Sequence, residues 1–132
     1  MKRRTLEFIN DSNLAVTIRF SGDPDVSVIQ RLGSEDRKLV AIEIKGGTDI
    51  SNIWNRLGEA EKSHQTAKTK GFNELWTLTG IDLNAAEKLK TAKQKSPSTT
   101  RFFFIPRMLD GTTSEGKSFR QLLGSVMGVS LR

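Results

Sequence analysis

The chain predicts an α/β fold: a mixed sheet, with a three-strand meander followed by a crossover helix and further strands, flanked by helices. Three observations predict it. Segments rich in β-branched residues, separated by turn clusters, fill the first third. A long segment of helical period, from about Ile50 to Lys70, follows the third of them. Strand-like and helix-like segments then alternate, as crossover connections require. At 132 residues, with 36% hydrophobic and 27% charged residues, the chain should form a single domain, 1–132, able to bury one core without staples.

The elements follow in order. Thr5–Ile9 reads equally as a helical turn or an edge strand, before the turn cluster Asn10-Asp11-Ser12-Asn13. Leu14–Phe20 has strand composition and breaks at Ser21–Pro24. Asp25–Leu32 resumes with Val26, Val28 and Ile29, and Gly33–Lys38 reads as a polar hairpin loop. Leu39–Gly47 is the third strand of the meander. Thr48, Asp49 or Ser51 then caps a helix running to about Lys70, with Ile50, Ile53, Trp54, Leu57, Ala60, His64 and Ala67 facing the core and Gly71 ending it. Glu74–Thr79 reads as a fourth strand, parallel to the third because a helix joins them. Asp82 caps a further helix with Leu83, Ala86 and Leu89 inward and Lys88, Lys90, Lys93 and Lys95 outward. Arg101–Ile105 is a fifth strand stopped by Pro106. After the loop Asp110–Gly116, Phe119, Leu122, Leu123, Val126 and Met127 form one stripe of a last helix.

Composition excludes several chemistries. There is no cysteine and one histidine, so disulfides, thiolate zinc sites, cysteine nucleophiles and metal sites built on several histidines are ruled out. No apolar run approaches a membrane span. The basic start, Met1-Lys2-Arg3-Arg4, precedes too short an apolar run for a signal peptide, and a cytoplasmic protein is expected. The net charge of +6 favours a polyanionic partner.

The most informative stretch is Leu39–Gly47. A run that reads as a buried strand carries Glu43 and Lys45 near its end, both on one face, with Ile44 on the other. Such charges are costly there unless something uses them. If Leu32 and Lys38 oppose each other across the hairpin, facing positions sum to 70, and Asp25 falls opposite Lys45, one pair beyond Glu43. Neighbours across strands on one face lie about 5 Å apart, near enough to share an ion. A slip of one residue would put Asp25 on the other face.

Pro24-Asp25, seventeen residues, then Glu43-Ile44-Lys45 resembles the PD-(D/E)xK nuclease superfamily. Acid-x-Lys also occurs at Asp36-Arg37-Lys38 and Glu115-Gly116-Lys117. Only the Glu43 triplet has a hairpin before it and a glycine pair and helix behind it. The chemistry explains the residue types. Phosphodiester hydrolysis calls for a hard cation to neutralise developing charge and supply hydroxide near neutral pH. Mg²⁺, or Mn²⁺ in its place, takes carboxylate oxygens, waters and substrate phosphate. Asp25, Glu43 and the Ile44 carbonyl would be the metal ligands, and Asp25, Glu43 and Lys45 the catalytic set, with Lys45 holding the attacking water. The competing reading is a structural ion pair at a sheet end.

The likeness extends to the following helix. Asn55-Arg56-Leu57-Gly58-Glu59-Ala60-Glu61-Lys62-Ser63-His64 looks like the helix after the catalytic strand in XcyI-type type II restriction endonucleases. That resemblance implies a restriction-endonuclease-like fold, a Mg²⁺-dependent endonuclease acting on double-stranded DNA, and a homodimer. It places Asn52, Asn55, Arg56, Glu59 and Lys62 toward the scissile strand as DNA-binding residues. A solvated helix face is the alternative for that stripe. The chain departs from that family where its first helix, often carrying another acid, is missing or reduced to Thr5–Ile9, with Glu7 the residue that could fill that role. His64, alone on the apolar side, reads as a packing residue rather than a general base. Lys88–Lys95 with Arg101 and Arg107 reads equally as a phosphate-contacting flank or a solvated face. Two rival functions stay open: a structure-selective nuclease resembling Holliday-junction resolvases, and a DNA-binding or interaction module without chemistry.

Overall fold

The computed structural model describes residues 4–20 and 22–130. Met1–Arg3 of the basic start and Ser21 of the expected Ser21–Pro24 break lie outside them. Six strands, β1 (Thr5–Ile9), β2 (Ala15–Arg19), β3 (Val26–Leu32), β4 (Glu35–Lys45), β5 (Leu75–Thr79) and β6 (Arg101–Phe104), form one sheet in chain order. β1 to β4 pair antiparallel, and β5 and β6 add in parallel. The helices are α1 (Ile50–Thr69), α2 (Ala86–Lys95), α3 (Ile105–Leu109) and α4 (Ser114–Met127). The expected α/β class and mixed sheet are therefore observed. Thr5–Ile9 resolves as an edge strand.

The sheet has two unlike faces. On one, Val16, Val28, Val40, Ile42, Trp76, Leu78 and Phe103 pack against Phe119, Leu122 and Leu123 of α4. Trp76, Phe103 and Phe119 meet edge to face, with centroids 5.0–5.8 Å apart. On the other face, Ala67 of α1 and Phe72 close over Ile29, Ala41 and Leu75. Ile53 and Leu57 of α1 meet Ile81, Leu83 and Ala92 of α2.

The hairpin between β3 and β4 departs from expectation. Gly33–Lys38 is not a loop: Gly33, at φ 63°, makes a tight turn with Ser34, and β4 already begins at Glu35. Pairing runs from Leu32↔Glu35 to Ile29↔Lys38, then shifts so that Val28 faces Val40 and Val26 faces Ile42. Leu39 is the extra residue, and both it and Val40 lie in the α4-side core. Beyond this bulge facing positions sum to 68, not 70. Continued past Val26, the register sets Asp25 level with Glu43 rather than Lys45. The two-position difference keeps Asp25 on the Glu43 face. Without the bulge the odd register of the hairpin would have turned it away, which is the re-aiming that bulges provide.

Three smaller corrections concern helix ends. α2 starts at Ala86, not Asp82, and Ala86 itself is exposed. Asp82 instead accepts from the Asn84 N–H and pairs with Arg107. Pro106 does more than end the fifth strand: it sits in the first turn of α3, where a missing N–H costs nothing. Ile50, expected inward, is 51% exposed at the start of α1.

Candidate active site

The C-terminal end of β4 brings together three side chains. Glu43 is buried at 3% exposure, on the face covered by α1. Its Oε2 accepts a hydrogen bond from the Asp25 N–H at 3.1 Å. Asp25 reciprocates across the strand gap, its Oδ2 accepting from the Ile44 N–H at 2.8 Å. The Lys45 ammonium lies 3.9 Å from Glu43 Oε1 and 3.7 Å from Glu59 Oε2, and its side chain is 14% exposed. Asp25 is thus locked to β4 by two bonds that its half-buried loop could not otherwise guarantee.

The electrostatics are those of an under-compensated pair of carboxylates. Burial, and then the charge of Asp25, push the Glu43 carboxyl above its ordinary range. The Asp25 N–H, Lys45 and the nearby Ser63 hydroxyl pull it back only in part. Within a strand, N–H and C=O of one residue point the same way, so the Ile44 carbonyl leaves β4 on the Asp25 side. Both carboxylates are bonded to backbone N–H groups across the gap between Asp25 and β4, at the strand edge from which the Ile44 carbonyl emerges. Among the described residues, no group of three or more His, Cys, Asp or Glu side chains is arranged to hold a metal.

α1 supplies the wall. Gly46 and Gly47 lead from β4 to its cap, where Asp49 accepts from the Ser51 N–H at 2.9 Å and from its hydroxyl at 2.7 Å. Gly80 at the end of β5 is pressed onto this link: its N–H donates to the Lys45 carbonyl at 3.0 Å, and a Cβ there would collide with the Gly46 and Gly47 carbonyl oxygens. Of the polar stripe, Asn52, Asn55, Glu59 and Lys62 are exposed and Arg56 is half-buried. Glu59 is turned to Lys45. The Arg56 guanidinium lies against Gly47, with its Nε enclosed and unpartnered among the described residues. Glu7, on β1, stands three strands from Glu43 and takes no part in the cluster.

A second polar network lies behind the site. His64 is fully buried, with Nε2 2.9 Å from the Thr77 hydroxyl. Thr77 sits beside Glu43 in the sheet and bonds Thr99, which bonds Ser96. Burial drives the His64 pKa down to about 4, the Glu61 charge opposing and the Lys45 charge assisting. It is a neutral packing histidine. Glu61 is buried too; desolvation raises its carboxyl, but bonds from Ser98, Gln65 and Ser96 outweigh that and leave it below the usual range. Nothing in the sequence announces this partnership, because Ser98 is 37 residues away.

Two clefts, of about 600 and 670 Å³, lie elsewhere, one beside β6 and one at the opposite end of the sheet near Gln30 and Lys70. Neither is lined by Asp25, Glu43 or Lys45.

A mixed sheet flanked by helices, with this cluster at the end of its central strand, defines a restriction-endonuclease-like fold. The chain belongs to the XcyI restriction endonuclease family, whose match spans residues 2–130. It is 36% identical over 131 residues to the type II restriction enzyme Cfr9I of Citrobacter freundii. It is also 36% identical over 133 residues to the type II restriction enzyme XcyI of Xanthomonas campestris pv. cyanopsidis. These alignments cover 98% and 100% of this chain but 39% of each relative, so the chain spans about two-fifths of their length. No solved structure matches it. No helix among the described residues is long and apolar enough to cross a membrane.

Proposed function

We propose that this chain carries the catalytic centre of an endonuclease that hydrolyses phosphodiester bonds in double-stranded DNA, with Mg²⁺ as cofactor and a homodimer as the working form. The observation that carries the reading is the mutual hydrogen bonding of Asp25 with Glu43 and Ile44, beside Lys45, in a member of a restriction endonuclease family. The residues fit the metal: burial of Glu43 next to a second carboxylate leaves negative charge that a cation would relieve. Asp25, Glu43 and the Ile44 carbonyl would hold it. Bound there, Mg²⁺ would supply Lewis acidity and ease deprotonation of a water.

The chain's own groups do the rest. Glu59 holds the Lys45 ammonium from the far side, so that its charge rests between two carboxylates and can face an incoming phosphate. Lys45 orients the attacking water and offsets charge on the phosphate as the new bond forms. Asn52, Asn55, Arg56 and Lys62, spaced along one flank of α1, contact the strand being cut.

Supercoiled plasmid incubated with and without Mg²⁺ tests this directly. Nicked or linear product is expected only with metal. Asp25→Asn, Glu43→Gln and Lys45→Ala should each abolish it while leaving the circular dichroism spectrum and DNA affinity near those of the unchanged chain. DNA binding without cleavage in the unchanged chain would identify a non-catalytic module. Cutting confined to four-way junctions would identify a structure-selective nuclease.

A further inference from the structure

The side of the sheet that carries Glu43 is only half covered. α1 packs on β4 and β5, and α2 on α1. Over β1 and β2 the residues on this side, Thr5, Glu7, Ile9, Ala15 and Arg19, are all exposed, and Thr17 is half-buried. The other side of the same two strands is packed, with Val16 buried and Phe8 and Ile18 against the α4 core. A bare, mostly polar sheet face therefore lies next to the wall formed by α1. The flank of α1 that overlooks it is fixed by three contacts: Glu59 to Lys45, Ser63 to Glu43, and the Lys70 ammonium to the Asp23 carbonyl.

One residue on this floor stands out. Arg19 faces Thr5 on one neighbour strand and Ser27 on the other. Ser27 in turn faces Ala41, two residues before Glu43 on the same side. Arg19 is thus the diagonal neighbour of Asp25, at about 7–8 Å between backbones. Its guanidinium has no hydrogen-bond or ion-pair partner among the described residues. Other cations near the sheet do: Arg31 pairs with Asp36, Lys45 with Glu43 and Glu59, Arg107 with Asp82. A guanidinium left unpaired on a flat face, one rung from a pair of carboxylates, is suited to a phosphate oxygen.

We infer that the open face of β1 and β2 is the floor on which duplex DNA lies, and that Arg19 holds the backbone phosphate next to the one positioned at Asp25 and Glu43. The inference rests on the nuclease reading above and names the substrate-binding surface that goes with it. Continuity with the acidic pair selects DNA over a second protein, and Arg19, the one cation on the floor beside the single acid Glu7, is the group that meets its backbone. The face lacks the large apolar side chains of a protein interface, Ile9 excepted. Arg19 is a positioning residue here and touches no reacting atom.

The test is duplex binding followed by fluorescence anisotropy without metal, across a salt series, on the full chain. Losing one phosphate contact should weaken affinity roughly fivefold for Arg19→Ala and lower the slope of log K against log[salt] by about one. Arg19→Lys, which keeps the charge, should retain the slope. Lys117→Ala, on α4 behind the sheet, should change neither. With Arg19 exposed, all three variants should melt with the unchanged chain. Wild-type affinity and slope in Arg19→Ala would overturn the inference. If the unchanged chain binds duplex, the Arg19 effect appears, and Mg²⁺ produces no nicking, the floor stands and the catalytic reading falls. Failure of the unchanged chain to bind duplex overturns both.

Discussion

Glu43 and His64 are both buried on the same side of the sheet, yet their surroundings set opposite tasks. Glu43 is crowded by Asp25 and rescued only in part by Lys45, which leaves charge that a cation would complete. His64 is walled in by helix and sheet, held by Thr77, and kept neutral. Its linkage with pH follows from that depressed pKa. The unfolded chain takes up a proton near pH 6.5, the folded one only near pH 4. The stability this confers is complete above pH 6.5 and is lost as the pH falls toward 4. Between pH 7 and pH 5 the loss is about 2 kcal/mol. Urea denaturation at the two pH values should give that difference, and His64→Gln should remove most of it. An equal pH dependence in the variant would mean that another group titrates.

At the scale of elements, the site is an arrangement of strand ends and the turns that join them. Leu39–Lys45 was legible as a strand bearing Glu43 and Lys45, because alternation alone puts both on one face. The partner strand was legible only as a strand. Its register depends on the turn at Gly33–Ser34 and on the bulge at Leu39, and both are hidden: Leu39 and Val40 are equally apolar, so no break in pattern marks the extra residue. Asp25 reached the right face through two offsets that combine to an even number. α3 was hidden for a related reason, since Ile105 continues the apolar run of β6 and Pro106 reads as a stop although it can also open a helix. Glu61 was illegible because its partners come from a distant loop.

Gly80 belongs to the same scale. The structure uses it to seat the end of β5 on the Gly46-Gly47 link. Gly80→Ala must push that link away, because the colliding atoms are backbone oxygens that cannot rotate aside. Overpacking of this kind costs roughly 1–3 kcal/mol. The larger effect should be on cleavage. Lys45 and the cap of α1 flank the displaced residues, and a shift near 1 Å at a reacting centre can cost roughly a hundredfold in rate. Plasmid cleavage and thermal melting of the variant measure the two effects separately. Wild-type cleavage in a folded Gly80→Ala chain would show that the link is not what aligns the site.

For the molecule as a whole, the sheet divides the labour between its faces. The α4 side holds Trp76, Phe103 and Phe119 in edge-to-face contact with a continuous aliphatic cluster. The α1 side holds two smaller apolar clusters together with the carboxylates, Lys45, the buried polar network and the uncovered floor. Such a division lets one face supply stability while the other tolerates desolvated charge and repulsion, which cost stability. It predicts a separation that a mixed core would not allow. Phe119→Ala removes an aromatic side chain from the α4 layer and should cost roughly 3 kcal/mol in urea denaturation. Because β4 stands between that layer and the acidic pair, the variant should bind and cut DNA at the unchanged rate well below its lowered melting point. The variant Glu43→Gln should show the reverse, keeping its stability and losing its cleavage. Loss of activity in folded Phe119→Ala, in proportion to its lost stability, would mean that the two faces are coupled through the sheet and that the aromatic layer helps hold Asp25 and Glu43 in place.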